Sequence, residues 1–122
     1  MPDTVKNLTE RVKRARDNTV QALLADLREA RIRSQNPANP RRAQDQAIFE
    51  RILQELIRAN IVAFNSIVDS ALMKANVDIV TKEASKLKKE AAKIKEIADN
   101  ITKWSTRIDF AAGIITKLIA FA

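Results

Sequence analysis

The chain has 122 residues, with 22 Lys or Arg against 15 Asp or Glu, a formal charge of +7, and neither Cys nor His. The missing residue types exclude disulfides, metal sites built on Cys or His, and the usual nucleophile–base pairs. One Gly, three Pro and a wealth of Ala, Leu, Ile, Lys, Arg and Glu favour long helices over sheet, in one domain spanning 1–122.

The first predicted helix covers about 4–34, with Asp3 or Thr4 as cap. Val5, Leu8, Val12, Ala15, Thr19, Leu23, Leu27 and Ala30 line its apolar face. Its bases, Arg11, Lys13, Arg14, Arg16, Arg28, Arg31 and Arg33, form no single stripe and read as a solvated surface. Asp26 and Glu29 lie one turn apart beside Arg28 and Arg31 and read as surface charges too. Two prolines and two asparagines between Gln35 and Pro40 mark a loop over 35–39, with Asn39 as cap and Pro40 at the first helical position.

The second predicted helix runs from 40 to about 75 and has a wide apolar face, including Ile48, Phe49, Ile52, Leu53, Leu56, Ile57, Ile61, Phe64, Ile67, Val68, Ala71 and Leu72. Such a helix is expected to be the most buried of the set. Asn76 and Asp78 suit a tight turn at 75–78, although an unbroken helix over 40–122 also fits the pattern.

The third predicted helix covers about 78–121 and carries a sustained heptad. Val80, Leu87, Ile94, Ile101, Ile108, Ile115 and Ala122 form a large row; Val77, Ala84, Ala91, Ala98, Ser105, Ala112 and Ile119 form a smaller one. Glu83 and Glu90 flank this seam on one side, Lys88 and Lys95 on the other, as surface charges in weak local pairs. Thr106 and Asp109 have capping-box spacing, which allows a break near 104–107 and a short fourth helix from Arg107. From Phe110 the chain is apolar on almost every side, so it must be buried by something: the centre of its own bundle, another chain or a lipid surface. Gly113, at the back of the seam, suits close helix contact or simply weakens the helix.

The expected fold is all-α: an elongated bundle of three long helices, with room for a short fourth at the C-terminus, packed by coiled-coil-like heptads. The expected function is a non-enzymatic helical interaction module that self-associates, as a dimer or larger species, or docks on another helical protein. The interface candidates are Ile101, Trp104, Ile108, Phe110, Ile114, Ile115, Leu118, Ile119 and Phe121. The alternative is a membrane-active protein that meets anionic headgroups and lipid through 107–122; sequence-nonspecific nucleic-acid binding ranks third. No catalytic residue, cofactor or metal is expected, and no secretory signal or spanning helix is apparent, which makes the cytoplasm the default location.

Overall fold

The computed structural model describes residues 5–62, 64 and 70–121. Among these the chain is all helical, but it holds four substantial helices instead of three. They are α1 (Val5–Gln35), α2 (Arg42–Asn60), α3 (Ala71–Glu90) and α5 (Ile101–Ile119). A 3₁₀ turn at Ala91–Lys93 and the short α4 (Ile94–Ala98) connect α3 to α5.

Three expected boundaries are corrected. The second helix stops at Asn60, so neither a helix to 75 nor one spanning 40–122 forms. The turn expected at 75–78 lies inside α3, whose cap is Ser70; its side chain accepts from the Met73 N–H at 3.1 Å. Asp78 reaches across to Arg11 instead of capping a helix. The interruption expected near 104–107 occurs at 91–100, where the Asn100 side chain caps α5 by accepting from the Lys103 N–H at 3.1 Å. Thr106 and Asp109 therefore lie within α5. At the first loop α2 begins at Arg42, two residues later than expected, while the Asn39 Oδ1 accepts from the Arg41 N–H at 3.0 Å. The caps assigned to Asp3 and Thr4, and the burial of Ile67 and Val68, fall outside the described residues.

Tertiary contacts explain why the chain breaks at 98–100. The last carbonyls of a helix need donors from outside it. Arg41 donates to the Ala98 carbonyl and, at 2.8 Å, to that of Asp99. Arg33 donates to the Lys95 carbonyl at 3.1 Å and to the Asp99 carboxylate at 2.8 Å. Two guanidiniums from the α1–α2 corner thus terminate α4.

α1, α2, α3 and α5 alternate in direction along the chain. α1 packs against α2 and α3, and α5 packs against the same two from the other side, so α2 and α3 are diagonal. Arg51 to Asp109 and Arg58 to Thr116 tie α2 to α5 in parallel. Arg11 to Asp78 and Lys88 to Asn18 do the same for α1 and α3. α1, the longest helix at 31 residues, is flanked in series by α3, the 3₁₀ turn and α4.

The core follows from these contacts. Leu8, Val12, Ala15, Thr19, Leu23 and Ala30 of α1 are buried, as its periodicity predicts. α2 buries only Ile48, Ile52, Leu56 and Ala59 of its wide face, so it is not the most buried helix. In α3, Val77, Val80, Ala84 and Leu87 face inward in both predicted rows. Beyond the break the smaller row changes phase: Trp104, Ala111 and Leu118 are buried, not Ser105, Ala112 and Ile119. Ile94, in the middle of the large row, falls at the break and is only partly buried.

Gly113 lies on the exposed side of α5, and a Cβ built there meets nothing within 4 Å. It serves no close helix contact. Gly113→Ala should therefore stabilise the fold by roughly 0.5–1 kcal/mol, because alanine loses less backbone entropy in a helix. Urea denaturation should show a higher midpoint; a lower one would mean that the position is crowded.

Candidate functional site

The centre of the bundle holds a charge cluster. Asp26 of α1 is fully buried and Arg107 of α5 is 6% exposed. The Arg107 Nε donates to Asp26 Oδ2 at 2.9 Å and its Nη2 to Oδ1 at 2.9 Å, a two-pronged contact. The Arg107 Nη1 donates to the Leu87 carbonyl of α3 at 3.0 Å, and Glu90 Oε1 lies 3.7 Å from it. Trp104 Nε1 donates to Asp26 Oδ2 at 3.2 Å. Burial raises the Asp26 carboxyl above its ordinary value; the hydrogen bonds and charge of Arg107, and the Trp104 N–H, act against that rise. Asp26 is thus not the surface charge expected of it.

Nor is Glu29, which is buried and accepts from Arg33 Nε at 2.8 Å. The bases of the first helix are likewise only partly a solvated surface. Arg16 donates to the Val62 carbonyl at 3.2 Å and its guanidinium lies 5.5 Å from the centre of the Phe64 ring. Arg11 and Arg33 bridge to Asp78 and Asp99. Glu83 and Glu90 reach Lys117 and Arg107 of α5, so they act between helices rather than in local pairs.

The structure places most of the interface candidates inside the chain's own core. Trp104, Ile108, Ile114, Ile115 and Leu118 are fully buried there, and Ile101, Phe110 and Phe121 are partly buried against it. Ile119 is exposed. The break at 91–100 divides the expected third helix, and α5, with 19 residues, matches α2 in length.

Uncovered apolar surface lies elsewhere. On α2, Leu53, Ile57 and Ile61 are 38%, 61% and 75% exposed and follow one another at four-residue spacing. Leu72 and Ile79 of α3 are also exposed. Of the exposed residues between 43 and 61, Glu50 alone is charged. The neighbouring Arg51 and Arg58 are held by Asp109, Glu55 and Thr116. The long apolar run of α2 carried this signal: it is too wide for one buried stripe.

A cavity of about 350 Å³ opens where α3, α4 and α5 meet, lined by Lys86, Glu90, Ile97, Thr102, Lys103, Thr106, Arg107 and Phe110. A second, of about 290 Å³, lies among Met73, Asn76, Ile79, Lys117, Ala120 and Phe121 at the opposite end. Among the described residues no group of three acidic side chains is placed to hold a metal ion, and no helix is long and apolar enough to cross a membrane. No family model matches the chain, and neither a curated protein nor a solved structure matches it.

Two outcomes follow from the buried pair. Asp26→Ala strands a guanidinium in the core and should cost about 3–5 kcal/mol in chemical denaturation. Replacing both partners, Asp26→Leu with Arg107→Met, should recover most of that loss; a double variant no better than the single one would show that shape, not charge, governs the site. The pH response has a definite sign. The native carboxyl keeps its proton to higher pH than the unfolded chain does. Its contribution is full below the unfolded value of about 3.9 and is lost as pH rises through the raised native value. The stability advantage of the parent chain over Asp26→Asn should therefore shrink as pH rises through this window, and growth would reverse the assigned shift.

Proposed function

We propose that the protein is a non-enzymatic helical interaction module that self-associates through the outward face of α2. The observation that carries this reading is the exposed row Leu53, Ile57 and Ile61 on a face whose only charge between 43 and 61 is Glu50, in a chain with 30% charged residues. Contiguous apolar surface of this kind marks an interaction site. A second copy suits it. A two-fold axis through Ile57 sets Leu53 of each copy against Ile61 of the other and moves Glu50 to the rim. Lipid suits it less, because an interfacial helix flanks its apolar face with free bases, and Arg51 and Arg58 are already engaged.

Light scattering over a concentration series should show the mass rising from one chain toward two. Ile57→Lys with Ile61→Lys should hold the protein monomeric while changing stability by no more than about 0.5 kcal/mol, since both residues are at the surface. A parent chain that stays monomeric at the highest concentration refutes self-association. Co-sedimentation of that monomer with anionic vesicles, abolished by the same substitutions, would assign the face to lipid.

A further inference from the structure

We propose that the cavity between α3, α4 and α5 binds a small monoanionic amphiphile, with its carboxylate at the lysine edge and its apolar body against Ile97 and Phe110. The volume of about 350 Å³ falls at the lower end for small-molecule sites.

The wall chemistry sets the charge of the ligand. Arg107 faces the cavity, but Asp26 neutralises it from behind. Glu90 offsets one of the two remaining cations, Lys86 and Lys103. One positive charge is left over, which favours a monoanion above a dianion. Both ammonium groups are available: among the described residues Lys103 has no side-chain partner, and Lys86 rests 5.4 Å from the centre of the Phe110 ring. The hydroxyls of Thr102 and Thr106 stand on the same α5 wall, one turn apart. They supply donors that a carboxylate accepts. The cations come from two different helices, α3 and α5, and both line the cavity.

The test uses decanoate below its micelle concentration, with decanol as the uncharged control, followed by calorimetry and by Trp104 fluorescence. Trp104 reports because its indole N–H shares the Asp26 carboxylate with Arg107. Decanoate should bind saturably at one site per chain. Decanol, and decanoate on the Lys86→Gln, Lys103→Gln double variant, should bind about tenfold more weakly or worse, the expected consequence of losing charged hydrogen bonds. Both lysines are exposed, so the double variant should melt like the parent chain. Binding should persist in the Ile57→Lys, Ile61→Lys variant, which alters only the α2 face. The proposal is overturned by absence of saturable binding, by equal affinity for decanol, by full affinity in the lysine double variant, or by loss of binding in the α2 variant.

Discussion

The ion pair between Asp26 and Arg107 sets the arrangement of α1, α3 and α5. α5 buries one stripe, Trp104, Ile108, Ala111, Ile114, Ile115 and Leu118, and turns Thr102, Lys103, Thr106, Asp109, Thr116 and Lys117 outward. Burial of that stripe sets which side of α5 faces inward, and Arg107 lies within the stripe. Only one rotation puts Arg107 on Asp26 and lets the remaining Nη1 reach the Leu87 carbonyl. Any other leaves a buried charge without a partner, which costs far more than misplacing a methyl group. The pair thus reinforces the facing that burial sets and fixes how α5 is seated against α1 and α3, at the expense of removing two charges from water.

The break between α3 and α5 serves the same arrangement. A continuous helix from 71 to 119 would carry Arg107 well beyond the end of α1, at 1.5 Å per residue. Folding the chain back after Ala98 returns Trp104 and Arg107 to the level of Asp26. Asn100 secures the new start, while Arg33 and Arg41 hold the carbonyls of the old end. The fold-back also resets the heptad. That is why the smaller row of α5 runs through Trp104, Ala111 and Leu118.

The contrast between what the residue pattern revealed and what it hid has a physical source. The helical class, the loop around Pro37 and Pro40, and the inner face of α1 were all legible, because each follows from local periodicity or local backbone chemistry. The end of α4 was not. Its carbonyls are satisfied by arginines some sixty residues away in the chain, and such donors leave no local mark. The buried pair did leave a trace. Asp26 lies seven residues after Thr19 on the core face of α1, and Arg107 lies between Trp104 and Ala111 on that of α5. Opposite charges, each in phase with an apolar row, point to an internal pair, whereas reading each charge alone assigns it to water. The candidate interface failed for a related reason: an apolar segment must be covered, but the sequence does not say by which chain.

Arginine and lysine divide the work in this chain. Arg11, Arg16, Arg33, Arg41, Arg51, Arg58 and Arg107 all make bonds to a neighbouring helix or its connecting loop, using the fork of donors that a guanidinium offers. Lysine crowds the surface of the segment from α3 to α4: Lys74, Lys82, Lys86, Lys88, Lys89, Lys93 and Lys95 are exposed, although Lys88 also reaches Asn18 of α1 and Lys86 the Phe110 ring of α5. Since α2 and α3 are diagonal in the bundle, this basic side and the nearly uncharged face of α2 point away from each other. On the proposed two-fold association, the α2 faces are consumed in one contact and the lysine-rich sides of both copies turn outward. Like charge on those sides opposes any further stacking. An isologous contact closes on itself, so in that proposed dimer geometry and electrostatics would both stop the assembly at two chains.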